Sequence, residues 1–196
     1  MLQLKMKIKR QETILSSLAD LTYATREQLQ IVNDLAGDRN ARRILLDMER
    51  DGLIKSLRHE KKIYYLSNRG NERIGKSQSR LKKSWITHTL MRNDLYIKLG
   101  EPGDWKKEVP VKQNDEVVLI PDAMFTDNGH FCFVEIDNKQ SMRTNYVKIS
   151  KYKILFKSIY REYKHHPTLI WYSLSAIRKD KLETSCSKTG IKHKIY

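Results

Sequence analysis

The chain has 196 residues, room for one mid-sized domain or two small ones, each with its own core. Its formal net charge of +15 favours a polyanionic partner, nucleic acid ahead of an anionic membrane surface. No segment approaches the roughly 20 consecutive apolar residues of a membrane span, and the first ten residues lack an uninterrupted apolar signal core, so no membrane partner and a cytoplasmic location are expected.

In chain order, Ile14, Leu15, Leu18 and Leu21 recur at helical spacing and predict an amphipathic helix over 9–21 with a basic lead-in. A second helix starts near Thr25, an N-cap residue, and packs through Leu29, Val32 and Leu35. Gly37 breaks the chain. Asp38 is expected to cap a third helix, with Ala41, Ile44, Leu45 and Met48 on one face, Arg39, Arg43, Leu46 and Arg50 opposite, and Arg42 on the flank. Guanidinium groups on an outward face can bond guanine edges or phosphates bidentately. On an isolated helix the same pattern more often marks a solvated charged face. The next stretch shifts that balance: Gly52 ends the helix, Leu53–Leu57 reads as a strand, Arg58–Lys62 as a charged turn and Ile63–Leu66 as a returning strand.

The segment LLDMERDGLIKSLRHEKKIYYLSNRG resembles the third helix and wing of winged-helix DNA-binding proteins, including regulators of the MarR and PadR kind. The resemblance implies a winged-helix domain over 1–76 that binds double-stranded DNA. Arg39, Asn40, Arg42 and Arg43 become major-groove candidates, and Arg58, Lys61 and Lys62 lie on the wing.

A second domain is expected over 80–196. After the polar, basic stretch 79–83, the residues Trp85, Ile86, Leu90, Leu95, Tyr96 and Leu99 predict a long buried helix ending at Gly100, with His88 as a packing residue. Three strands follow at Trp105–Val111, Val117–Phe125 and Phe131–Asp137, then a basic helix from Thr144 to Tyr163 carrying Lys148, Lys151 and Lys153. TLIWYSL reads as a buried strand and AIRKDKLET as a last helix. Of the two cysteines, Cys132 lies in an apolar run and Cys186 in a polar tail, without the spacing of a zinc site or a disulfide frame.

Inside this domain the Asn128-Gly129 pair signals a two-residue hairpin turn. Asp127 then pairs with His130, and counting outward sets Asp122 opposite Glu135. Side-by-side carboxylates repel, so a metal ion, a lysine or a proton should neutralise them. The order helix, three strands, helix, strand, helix resembles the core of the PD-(D/E)xK nuclease-like fold, an αβββαβ arrangement. That resemblance implies Asp122 and Glu135 as ligands of a divalent cation. The lysine expected two residues after the Glu is Asp137 instead, a third ligand candidate. Lys139, or Lys148 or Lys151 from the next helix, would have to supply the catalytic cation. Metal hydrolysis of a phosphodiester needs both charge neutralisation and an activated water. The expectation is a degenerate core with no assigned catalytic residue, Asp122, Glu135, Asp137 and Lys139 being the candidates, and without a cofactor, Mg²⁺ entering only if the protein cleaves.

Across most of the chain, HTLMRNDLYIKL, WKKEVP, PDAMF, FVEIDNKQSMRTNYVKISKYK and PTLIWYSLSAIR resemble successive blocks of the replication-relaxation family of plasmids and other mobile elements. The chain departs from the family pattern at Asn138 and Lys139, where a smaller, Arg-Gly-like continuation is expected. The family implies an α+β protein with a winged helix before a nuclease-like core, tied to plasmid replication, DNA relaxation or mobilisation. A relaxase or replication initiator and a second copy of the chain are the protein partners to expect. Three functions follow: a non-cleaving DNA-binding protein, in which Lys148 and Lys151 add phosphate contacts; a Mg²⁺-dependent nicking enzyme; and a transcriptional regulator whose second domain dimerises or binds a partner.

Overall fold

Ile14, Leu15, Leu18 and Leu21 are all buried, and their spacing fixes the inner face of α1 (Leu2–Leu21), which continues through the basic lead-in. The computed structural model describes residues 1–77 and 83–196, and the chain divides into two compact units, Met1–Ile97 and Lys98–Tyr196. Both mix helices and strands, as expected of an α+β chain. Among the described residues no helix is long and apolar enough to cross a membrane.

In the first unit, β1 (Ala24–Thr25) leads into α2 (Arg26–Val32), and Thr25 closes a capping box with Gln28. Helix α3 (Asp38–Arg50) buries Ala41, Ile44, Leu45 and Met48. Its N-cap is Gly37, a correction to the expected Asp38. Asp38 is the first helical residue, and its carboxylate takes Arg26 at 2.8 Å. Next, β2 (Ile54–Arg58) and β3 (Lys62–Leu66) form a hairpin, and β1 joins it to give a three-stranded sheet in the order β1-β3-β2. The short helix α4 (Asn68–Arg73), N-capped by Ser67, was not expected from the sequence. It sits so close that a Cβ on Gly70 would lie 2.1 Å from the Leu53 carbonyl oxygen. Leu15, Leu18, Leu29, Leu45, Ile54 and Leu66 share one core, each such side chain contributing about 1.5–3 kcal/mol.

Helix α5 (Ile86–Lys98) belongs with this first unit, whereas the sequence reading placed it at the head of the second domain. Ile86 packs with Tyr23 and Ile63, and Gln28 Nε2 donates to Leu90 O at 2.9 Å and to Asp94 Oδ1 at 2.6 Å. Asn93 Nδ2 donates to Tyr23 O at 2.7 Å. Polarity at 79–83 suggested a boundary, but polarity marks a connection rather than a change of core. Except for Lys83, that stretch and the expected boundary at 80 lie outside the described residues. His88 is half-buried, edge-on to Trp85.

The second unit is built on a five-stranded sheet, β10-β9-β8-β7-β4. The expected first strand breaks into β4 (Lys106–Lys107) and β5 (Val111–Gln113), and the expected second into β6 (Glu116–Leu119) and β7 (Ala123–Asp127). Pro110 and Pro121 lie at the two breaks, where each lacks the N–H a ladder needs. Strand β8 (His130–Asp137) returns antiparallel to β7. Helix α6 (Met142–Tyr163) then crosses over to β9 (Thr168–Ser173), which runs parallel to β8. Buried on both faces along most of its length, β9 reads as a continuous apolar run for the reason parallel strands do. Helix α7 (Ala176–Thr189) and β10 (His193–Ile195), a strand too short and polar to predict, complete the sheet. Cys186, expected in a polar tail, is fully buried on α7 beside the core of Tyr152, Phe156 and Trp171.

Candidate functional site

The hairpin turn sets the first part of the site. Asn128 and Gly129 both take positive φ, 48° and 79°, which suits the two-residue turn whose twist matches its strands. Asp127 pairs with His130 and Ala123 with Val134, the register counted from the sequence. At the next step Asp122 N donates to Val134 O at 3.0 Å, and Asp122 Oδ2 accepts from Ile136 N at 2.6 Å. Asp122 and Glu135 therefore share one end of the hairpin, and the charge on Asp122 is felt by Glu135.

Helix α6 supplies what faces them. Asn145, Lys148 and Tyr152 recur at helical spacing and run back along β8, so each meets a polar residue of the strand. Lys148 Nζ bonds Glu135 Oε2 at 2.5 Å, and Tyr152 OH donates to Glu135 Oε1 at 2.7 Å. Glu135 is 1 % exposed. Burial first, and the Asp122 charge second, push its carboxyl up to about 7, against the pull of Lys148 and Tyr152. Burial would lower Lys148, but Glu135 and Asp122 outweigh it and raise its value. Lys148 thus bonds Glu135 directly, and its charge is also felt by Asp122.

Asp137 is held separately. Arg178 from α7 grips it with a fork, Nε to Oδ2 at 2.6 Å and Nη2 to Oδ1 at 2.5 Å. Asn145 Nδ2 donates to Oδ1 at 2.8 Å and Ser173 Oγ to Oδ2 at 3.0 Å. Burial alone would raise this carboxyl, yet the bonds from Arg178, Asn145 and Ser173 hold it below its ordinary range.

Placed against the expectations, the structure gathers Asp122, Glu135 and Lys148 and leaves Lys139 and Lys151 exposed on the surface. Lys148, expected to contact phosphates, bonds Glu135. Among the described residues no group of three or more His, Cys, Asp or Glu side chains is arranged to hold a metal ion. Of the expected ligands, Glu135 has each oxygen bonded once to α6, and Asp137 has both oxygens saturated by donors. Tyr152, Asn145, Ser173 and Arg178 were not foreseen. Asn145 and Tyr152 had a local signal, three residues before and four residues beyond Lys148 on the same helix face.

A second candidate surface lies on the first unit. Arg39, Arg42 and Arg43 are exposed on α3 opposite its buried stripe, and Leu46 beside them is 44 % exposed. Asn40 is engaged in the turn before α3, donating to Leu35 O at 2.8 Å and accepting from Arg43 at 2.9 Å. In the β2–β3 hairpin Arg58 and Lys61 are exposed, whereas Lys62 pairs with Glu49 at 2.6 Å and lies over the Tyr64 ring.

No curated protein and no solved structure matches the chain. A family model does, over residues 15–169, a span that takes in α3, the β7–β8 hairpin and the Lys148 helix but stops short of Arg178. With that match covering most of its length, the chain belongs to the replication-relaxation family.

Proposed function

We propose that this protein is a cytoplasmic DNA-binding protein of a plasmid or other mobile element, acting in replication, relaxation or mobilisation, or in control of transcription, without cutting DNA. The observation that carries this reading is the outward face of α3, where Arg39, Arg42 and Arg43 stand exposed while the opposite stripe is fully buried. The helix order and the β1-β3-β2 sheet support a winged helix, with α3 as the groove-reading helix and the β2–β3 hairpin as its wing. Guanidinium groups there can fork onto guanine O6 and N7, and Arg58 and Lys61 can grip phosphates. The +15 charge supplies the long-range attraction.

Changing Arg39→Ala together with Arg43→Ala is expected to weaken duplex binding roughly 10- to 100-fold and to flatten the salt dependence by about two counterions. Fluorescence anisotropy across a salt series measures both. Equal affinity of variant and parent on every duplex would reject the reading.

In the second unit the β7–β8 hairpin and the β8-α6-β9 crossover support a nuclease-like core. Lys148 and Arg178 sit where catalysis would need accessible carboxylate oxygens, which favours a binding or structural role. A relaxase, a replication initiator or a second copy of the chain is the protein partner this role calls for.

One observation favours nuclease activity as a second reading: Lys148 stands beside Asp122 and Glu135, a lysine next to paired carboxylates. The two readings part in a plasmid assay. Supercoiled DNA incubated with the protein and Mn²⁺ or Mg²⁺ is expected to stay intact. Nicking that disappears in Asp122→Asn would establish the nuclease instead.

A further inference from the structure

Lys153, Lys157 and Arg161 repeat every four residues along α6, so they form one stripe on its surface, on a different side from Lys148. Like charges at that spacing repel, and no acidic residue of the helix is placed to relieve them. The stripe is exposed along its length. With Lys192, from the segment between α7 and β10, it rims a cavity of about 360 Å³ in the second unit, and among the described residues no Asp or Glu lines it. One wall is aromatic: the Tyr160 and His166 rings stack 4.4 Å apart at 21°, and Tyr160 is 46 % exposed. Phe156, Pro167 and Ile191 give the rest of the lining an apolar character.

Four cations around an aromatic and apolar wall match a ligand with phosphates at one end and a flat ring at the other. The volume lies at the small end of ligand pockets, enough for one nucleotide and too little for a duplex. A base inside a duplex keeps its faces stacked on its neighbours, so only a single strand or a strand end can offer one to Tyr160. We propose that this cavity binds a nucleotide unit of single-stranded nucleic acid, with backbone phosphates among Lys153, Lys157, Arg161 and Lys192 and one base against the Tyr160–His166 stack. This site is separate from the duplex contacts proposed for α3 and does not depend on them.

The test uses the full chain carrying Arg39→Ala and Arg43→Ala, so that failure of the α3 reading cannot mask or mimic the result. Anisotropy of a labelled oligothymidine of about a dozen nucleotides reports binding. Adding Lys157→Ala and Arg161→Ala is expected to weaken it at least tenfold and to lower the log–log salt slope by about 1.4. Tyr160→Ala should weaken binding with the slope unchanged, and Tyr160→Phe should restore it. Melting curves that match the parent show that these surface variants still fold. An unchanged affinity in the Lys157/Arg161 variant overturns the proposal, as does full displacement of the strand by an equimolar free nucleotide.

Discussion

Arg178→Ala is expected to destabilise the second unit by roughly 3–5 kcal/mol, the cost of leaving one member of a buried ion pair behind. The Asp137 side chain has no exposed surface while the guanidinium covers it, so truncation leaves behind a carboxylate that has lost its strongest donor. Asn145 and Ser173 would remain as neutral donors, too few to solvate a full charge. Arg178→Lys should recover only part of the loss, because an ammonium cannot reproduce the fork onto both oxygens. Urea unfolding, read at the transition of the second unit, measures the effect as a shift in midpoint with an unchanged slope. Asp137→Asn combined with Arg178→Ala should cost less than the two single changes added together. A loss under about 1 kcal/mol for Arg178→Ala would mean that water reaches Asp137.

Stability should also depend on pH through Glu135, in the direction opposite to an ordinary carboxylate. Its value rises from the usual 4.5 to about 7, so the folded state holds this proton after the unfolded chain has released it. The contribution is fully present below 4.5 and is lost as pH rises through about 7, a change of roughly 3 kcal/mol. Lys148 and Tyr152 on α6 both move upward and Asp137 on the same strand moves down, so none of these three titrates in that window. Asp122, across the hairpin, contributes the charge that keeps the proton in place. Glu135→Gln should therefore abolish the decline between those pH values while the parent retains it. Unfolding free energies across the pH series decide the matter, and a parent midpoint near 4.5 would refute it. Asp137 works the other way: its contribution is present above 3.8 and lost as pH falls through its lower folded value.

The hairpin shows why one half of the site was readable. Asn128-Gly129 allows a two-residue turn, the strand period is two, and counting from the turn puts Asp122 beside Glu135 with no knowledge of the rest of the chain. The α3 faces were readable for a similar reason, since one period of 3.6 residues sorts Ala41, Ile44, Leu45 and Met48 away from the arginines. Even the demand for neutralisation followed from charge alone. Its form did not. Whether a metal, a lysine or a proton would answer that demand depended on which α6 residues the β8-α6-β9 crossover turns toward the strand, and it turned Lys148 and Tyr152.

Asp137 and Arg178 stand 41 residues apart, and their pairing depends on how α7 is set against the end of β8. The placement of α5 likewise rested on Gln28 and Asn93 bonds to segments more than sixty residues away along the chain. Local periodicity and turn chemistry thus determined the strand register, the buried stripes and the position of the paired carboxylates. Only the tertiary structure decided which cation each carboxylate received and to which unit a helix belonged, because those outcomes depend on long-range packing that no local spacing encodes.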